Sequence, residues 1–306
     1  MKIENPPIVS VICTAYNQEN YIKDALEGFV NQKTNFTFEI IVHDDASTDR
    51  TASIIRDYEL KYPNLFVTIY QSENQYSKGN NDVGKIVFGL AKGKYIAICE
   101  GDDYWTDPYK LQKQSDFLEK NLNCSMVFHL ANCINLNNEI IYIHGPKLNQ
   151  EQGQFNIKDA ILNASTLVPT NAMFFHSRYI KNIPSWFFEA PVGDIPLLLL
   201  FAHGGDLGFI NEKMSTYRVM TPFSWSEQMQ SNKKSRVKLF TESQKMWQSF
   251  NEWSDYNYKE ILNKKYKKNK LDFMQNEFKI KFPFIYSLLK KIKTGNLHFQ
   301  KDKLNG

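Results

Sequence analysis

Between residues 8 and 118, apolar runs of strand length alternate with stretches whose apolar residues recur at helical spacing, and no other feature of this chain constrains its fold so tightly. Residues 8–14 read as a buried strand, after which Tyr21, Ile22, Ala25, Leu26, Phe29 and Val30 fall on one face of a helix. Residues 38–43 form the next expected strand and residues 51–62 a helix stopped by Pro63. Residues 65–70 follow as a third strand, 83–91 as a helix and 95–99 as a fourth strand. Parallel neighbours need a crossover connection, which the intervening helices supply. The alternation therefore predicts an α/β fold with a mostly parallel central sheet and helices packed on it. Ligands of such sheets bind at the carboxyl ends of the strands, so chemistry is expected there.

The second half is less regular. Strands are expected over residues 124–130, 139–144, 171–176 and 207–218 and a short apolar helix over 194–203, while beyond about residue 231 the pattern is long, charged and helical. The division this suggests is a domain over residues 1–230 and a basic helical extension over residues 231–306. Net charge follows the same division: residues 259–306 carry 13 lysines and no arginine against four acids, which is +9 there and −5 for residues 1–258. A lysine tail without arginine cannot read a base edge bidentately, so no nucleic-acid partner is expected. Cys13, Cys99, Cys124 and Cys133 show no C-x-x-C spacing, which argues against a zinc or disulfide framework and for a reducing cytoplasm. The first residues have no signal-peptide core, and no stretch approaches the ~20 apolar residues of a membrane span. A protein that is soluble or lies on a surface is expected.

The first strand ends in Cys13-Thr14-Ala15-Tyr16-Asn17-Gln18, with no glycine before Gly28, so the glycine-rich turn of a dinucleotide fold is missing. The second ends in His43-Asp44-Asp45-Ala46-Ser47-Thr48-Asp49. One of Ser47, Thr48 and Asp49 is expected to cap the next helix. Capping leaves unexplained two adjacent carboxylates, Asp44 and Asp45, which repel unless a ligand or cation uses them. The fourth strand ends in Glu100-Gly101-Asp102-Asp103-Tyr104-Trp105, and Asp107-Pro108 then reads as a helix start. Three acids in four residues, with a glycine for close backbone approach, form a hard-oxygen cluster suited to Mg²⁺ or Mn²⁺, although a solvated turn reads the same way.

In order, Val9-Ser10-Val11-Ile12-Cys13-Thr14-Ala15-Tyr16-Asn17, Asp44-Asp45-Ala46-Ser47-Thr48-Asp49 and Ala91-Lys92-Gly93-Lys94-Tyr95-Ile96-Ala97 leading into Glu100-Gly101-Asp102-Asp103 resemble the inverting family 2 glycosyltransferases with the GT-A fold. The match is close over residues 8–120 and looser to about residue 226. The resemblance implies a nucleotide- and metal-binding half over residues 1–120 and an acceptor half over 121–230. It implies that Thr14, Ala15 and Tyr16 border the nucleotide base, and that Asp45, beside Asp44, accepts the imide N–H of uracil or thymine. Glu100, Gly101 and Asp102 would stand where the family has D-x-D, with Asp102 and Asp103 on the metal and Glu100 near the ribose or a metal-bound water. Glutamate in place of the first aspartate keeps the charge and lengthens the reach by one methylene, which puts the ribose contact in question.

Val192-Gly193-Asp194-Ile195-Pro196-Leu197 resembles the segment that carries the family's catalytic acid. Asp194 therefore reads as the general base, with an N-cap of the apolar helix as the alternative. Thr216-Tyr217-Arg218-Val219-Met220 matches a stretch that often ends in a histidine approaching the diphosphate or metal. Met220 cannot do this, so Arg218 is a candidate for part of the diphosphate charge. Trp105 is a candidate to stack on a sugar face or simply to pack, and Thr170 and Asn171 to line the acceptor site or make a turn. His43, His129 and His176 read as core groups.

The implied function is metal-dependent, inverting transfer of a hexose or N-acetylhexosamine from a nucleoside-diphosphate sugar, with UDP favoured, to a saccharide hydroxyl, for surface polysaccharide made on a lipid carrier. The rival is a degenerate nucleotide-sugar-binding scaffold, kept open by Glu100 and Met220. Phe282, Ile285, Leu288, Leu289 and Ile292 share one helical face with lysines around it, the pattern of an interfacial helix on anionic lipid or of a helix docked on the domain. The expected location is the cytoplasm, with a peripheral place on the inner face of the membrane.

Overall fold

In the computed structural model, which describes residues 6–78, 82–147, 152–222, 227, 229 and 232–287, the first apolar run is strand β1 (Val9–Ala15) and the first amphipathic stretch is helix α1 (Ile22–Val30). Val9, Val11, Cys13 and Ala15, every second residue of the strand, share one core cluster with Ile22, Ala25, Leu26 and Phe29 of the helix. Periods of 2 and 3.6 meet on one face there. Full burial of a Leu, Ile or Phe side chain contributes ~1.5–3 kcal/mol, so this contact outweighs local propensity in fixing residues 9–30.

The alternation continues through β2 (Phe38–Asp44), α2 (Thr51–Lys61), β3 (Phe66–Tyr70), α3 (Asp82–Leu90) and β4 (Tyr95–Ile98). Next come β5 (Tyr104–Trp105), α4 (Lys110–Lys120), β6 (Cys124–Ile134), β7 (Ile140–His144), β8 (Gln152–Phe155) and α5 (Ile157–Asn163). The remaining elements are β9 (Phe174–His176), α6 (Ser185–Phe188), α7 (Asp194–Gly204), β10 (Asp206–Arg218), α8 (Lys233–Trp253) and α9 (Lys259–Lys281). The strands form one sheet in the order β3-β2-β1-β4-β9-β6-β10-β5, with β7 paired to β6 and β8 to β10. β3, β2, β1 and β4 run parallel, as do β6 and β10, and β9 enters antiparallel between β4 and β6.

The expected strand over 171–176 is shorter than its apolar pattern. Thr170–Ala172 forms a 3₁₀ turn after Pro169, and only Phe174–His176 pairs. The small elements β5, β8, α5 and α6 were not expected. A signal for α5 was available, because Asn156 and Asp159 form a reciprocal capping box at its start. β10 bends through register shifts at Ile210/Lys213 and Lys213/Ser215, which lets one strand pair with β6, β8 and β5 and aims its end at the acidic loop.

The described chain divides into units of residues 1–250 and 251–306, beyond the boundary expected near residue 230. The difference lies in α8, which looks polar in sequence but buries Met246, Trp247 and Phe250, the last with its ring centroid 5.6 Å from that of Trp186. All four cysteines are buried free thiols. Among the described residues no helix is long and apolar enough to cross a membrane.

Lys110, in the first turn of α4, is fully buried; it donates to Gln114 Oε1 at 2.7 Å and lies 3.9 Å from the Trp105 ring centroid. Burial pulls its pKa down to about 7. Between that value and the ordinary ~10.4 of lysine, the unfolded chain binds more protons at this site than the folded one. The contribution of Lys110 to stability therefore rises with pH across this window and is lowest below it. As pH rises, the melting temperature of the wild-type chain should climb relative to that of Lys110→Met. Parallel curves would show that Lys110 stays charged in the fold.

Candidate functional site

β1 lies between β2 and β4, so chain order reverses at this strand, and the crevice beyond its carboxyl end is where an open α/β sheet takes a ligand. Two backbone bonds draw three strand ends together: Gly101 N–H donates to the Thr14 carbonyl at 3.0 Å and Asp45 N–H to that of Ala15 at 2.9 Å. Space beside Gly101 is tight, since a Cβ there would displace the ends of the Gln18 and Ile22 side chains and lie 3.1 Å from Ala15 Cβ. Side chains lace the loops after β1 and β2. Ser47 Oγ accepts from Asn17 N at 2.9 Å, Thr51 Oγ1 from Gln18 N at 2.7 Å and Asp49 Oδ2 from Glu19 N at 3.0 Å. Asp49 Oδ1 also accepts Thr51 N at 2.9 Å at the start of α2, but the N-cap position is Arg50, with no side-chain capping bond, so none of Ser47, Thr48 and Asp49 is the N-cap residue itself. Asn17 and Ala46 adopt φ of 51° and 62°; left-handed backbone at a non-glycine such as Ala46 is held only by surroundings this tightly bonded.

Thr14 is half-buried, Ala15 buried and Tyr16 38% exposed, so Tyr16 is the surface available to a flat ligand. Asp44 and Asp45 are both buried. Asp44 Oδ2 accepts Ser47 N at 3.2 Å, while its Oδ1 has no partner. Asp45 accepts Gln75 N at 2.8 Å through Oδ1 and Tyr76 N at 3.0 Å through Oδ2. Asp45 thus fastens the segment after β3 to the site, and each oxygen keeps a second lone pair for a ligand N–H.

The acids after β4 have two different environments. Asp103 is fully buried; its Oδ2 accepts Asn171 Nδ2 at 2.9 Å and its Oδ1 accepts the Arg218 backbone N–H at 2.9 Å. Glu100 and Asp102 are only half-buried. Burial first, then the Asp102 and Asp194 carboxylates, push the Glu100 carboxyl well above the usual range. Burial also raises Asp102, against the pull of the Thr221 hydroxyl, a backbone N–H and Arg218. Thr221 Oγ1 donates to Asp102 Oδ2 at 2.9 Å. Among the described residues nothing donates a hydrogen bond to the Glu100 carboxylate, and no three His, Cys, Asp or Glu side chains converge as a ready cage for a metal.

Asp194 opens α7. The N-cap is Gly193, which makes no side-chain bond, and among the described residues Asp194 Oδ1 accepts the adjacent Ile195 N–H, at 2.8 Å. Asp194 therefore does not cap in the usual sense, and burial raises its carboxyl. Its charge is one of the causes that raise the Glu100 carboxyl, although it lies far along the chain from the acidic loop.

Four candidates have other duties. Trp105, at 4% exposure, donates to the Asn171 carbonyl at 3.0 Å and meets the Phe29 ring edge-on at 4.7 Å, so it packs rather than stacking on a sugar. Asn171 is fully buried, giving Nδ2 to Asp103 and to the Thr216 carbonyl and taking Ser215 Oγ at 2.8 Å; it braces the acidic loop and faces no acceptor. Thr170, half-buried, belongs to the turn that sets Asn171. Arg218 donates to the Asp102 carbonyl at 2.7 Å and to Asp24, and its guanidinium lies over Tyr104 at 4.6 Å and Tyr21 at 5.1 Å. It clamps the loop to α1, and it also lines a cleft of about 700 Å³ with Tyr21, Asp24 and Tyr104. Neither Glu100, Asp102 nor Asp194 lines that cleft.

Thr221 was missed, because the sequence reading stopped at Met220, where relatives often have histidine. Met220 takes φ of 66°, and the residue after it puts a hydroxyl on Asp102.

The sequence profile of Glycosyl transferase family 2 matches residues 10–181, more than half of the chain. An uncharacterized protein of Mycobacterium bovis is 33% identical over 245 residues, or 79% of this chain and 64% of that protein. The chain thus spans a little under two thirds of that relative. A UDP-Glc:alpha-D-GlcNAc-diphosphoundecaprenol beta-1,3-glucosyltransferase of Escherichia coli is 36% identical over 112 residues, 37% of this chain and 41% of that enzyme. Among solved structures, a mannosyltransferase of Pyrobaculum calidifontis in complex with GDP-Man and Mn²⁺ superposes with a TM-score of 0.56 at 14% identity, covering 96% of this chain and 81% of that one.

Proposed function

Because the chain belongs to glycosyltransferase family 2, we propose that the site at the β1/β4 strand ends transfers a hexose or N-acetylhexosamine from a UDP sugar to a saccharide hydroxyl, inverting the anomeric carbon. The observation that carries this reading is the backbone bond by which Gly101, between Glu100 and Asp102, meets Thr14 beside Tyr16, with the Asp194 charge among those that raise the Glu100 carboxyl. The names of relatives agree with it, since one takes UDP-Glc and a lipid-linked GlcNAc acceptor. A surface polysaccharide built on such a carrier is the product class this supports.

Asp102 and Glu100 fit a divalent cation. Mg²⁺ and Mn²⁺ are commonly held by one or two carboxylates with substrate phosphates completing the sphere, and that is the donor set here. Burial raises both carboxyls and the Asp102 charge raises Glu100 further, and a nearby cation relieves both effects. Bound there, the ion would neutralise charge on the diphosphate leaving group. Asp103, engaged by Asn171 and Arg218, is assigned to holding the loop and not to the ion. Tyr16 offers its ring to the base and Asp45 a carboxylate to the imide N–H. Asp194 accepts the acceptor hydroxyl proton as that oxygen bonds to the anomeric carbon, and UDP departs with the electron pair of the broken bond.

Incubating the chain with a panel of nucleotide sugars and Mn²⁺ tests this reading. Slow release of free UDP from one or more UDP sugars is expected. Binding of a nucleotide sugar with no release, even with saccharide acceptors present, would favour the scaffold reading.

A further inference from the structure

Leu271, Met274 and Phe278 follow one another at intervals of three and four along α9 and so share one face of the helix. They are 55%, 59% and 39% exposed. Beyond Lys265 no described residue of this helix is buried, so within the described chain this face is left largely open. At 100° per residue, Lys268 and Lys279 flank the stripe on one side and Lys270 and Lys281 on the other, while Glu277 sits just beyond Lys270 and Asp272 just beyond Lys279. All four lysines are exposed. The Phe282 ring, 5.4 Å from that of Phe278, continues the apolar line, and Phe284 and Ile285 beyond it are exposed too. Of the five-residue stripe read from the sequence, Leu288, Leu289 and Ile292 lie outside the described residues. The helix ahead of that stripe carries the pattern by itself.

We infer that the Leu271–Met274–Phe278 face of α9 docks on an anionic membrane surface. An apolar centre suits neither solvent nor a nucleic-acid backbone. A second copy of the helix would bring rows of lysine against rows of lysine, because α9 carries eight lysines and three acids. An anionic bilayer answers both parts of the pattern. The apolar stripe enters the boundary between headgroups and acyl chains, and the lysines rest their stems on it and extend their ammonium groups to lipid phosphates. The inference uses only the second unit and stands apart from the catalytic reading, so either can fail alone.

The test is co-sedimentation of the full chain with phosphatidylcholine vesicles and with phosphatidylcholine–phosphatidylglycerol vesicles. Binding is expected only to the second kind, weakening as salt rises. Changing Lys268, Lys270, Lys279 and Lys281 together to Gln should weaken it at least about a hundred-fold. Leu271→Gln, Met274→Gln and Phe278→Gln together should do the same. Glutamine keeps helix propensity and the sites are exposed, so circular dichroism and nucleotide release should match wild type in both variants. Failure to bind anionic vesicles at low salt, equal binding to neutral ones, or wild-type binding by either variant would overturn the proposal. Self-association lost in the apolar variant, without vesicle binding, would assign the face to a second copy instead.

Discussion

Asp194→Asn is expected to lower the sugar-transfer rate at least about a hundred-fold while leaving the fold and UDP affinity nearly unchanged. A positioned general base contributes ~10²–10⁴ in rate. The one bond its carboxylate makes within the described chain, from the Ile195 N–H, passes to the asparagine carbonyl, and α7 is capped at Gly193 without it. The variant therefore removes a proton acceptor and little else. Burial holds the Asp194 carboxyl above the usual range, so the ionised fraction, and with it the rate, falls as pH drops through that raised value. The acid limb of the rate profile should lie above that of a free aspartate and disappear in Asp194→Asn. If transfer stays within a few-fold of wild type, Asp194 is not the base. Of the alternatives, Asp103 is already committed to Asn171 and Arg218, and Asp206 accepts Asn123 Nδ2 at 2.9 Å at the far end of β10, which leaves Glu189.

The first half of the fold was legible because β1 to β4 and α1 to α3 each carry their own period, and the period that buries a strand or a helix face is written locally. The second half hid its elements because they exist only through partners. β5 is two residues that pair with Ser215 and Thr216, and α8 looks polar except where Met246, Trp247 and Phe250 turn inward. The acidic loop was legible as a site, but the division of labour within it was not. Three acids in four residues look alike in sequence. The structure separates them by donors, since Asn171 in its 3₁₀ turn and the Arg218 backbone at the end of β10 reach Asp103 from 68 and 115 residues away, and Thr221 reaches Asp102 from 119 away. Asn171, Trp105 and Arg218 were picked out for the chemistry of their side chains, which the fold spends on bracing one another. Such bonds between distant segments have no sequence period to announce them.

Asp102→Asn should abolish transfer to the detection limit, a loss of at least about a thousand-fold if the ion contributes the several kcal/mol typical of charge neutralisation on a leaving group. The amide oxygen can still accept from Thr221, so loop geometry is expected to survive, and what is lost is the charge facing the ion. Asn171→Ala is the structural contrast, since it leaves both half-buried acids in place and removes the brace on Asp103 together with the bonds to Ser215 and Thr216.

The most direct measurement is calorimetric affinity for UDP with and without Mn²⁺, in wild type and in Asp102→Asn. The account predicts that Mn²⁺ tightens UDP binding markedly in wild type and has no effect in the variant, whose metal-free affinity matches wild type. Equal Mn²⁺ dependence in the two proteins, or UDP binding indifferent to Mn²⁺ in wild type, would contradict the assignment of this loop as the site where a metal ion and the donor diphosphate meet.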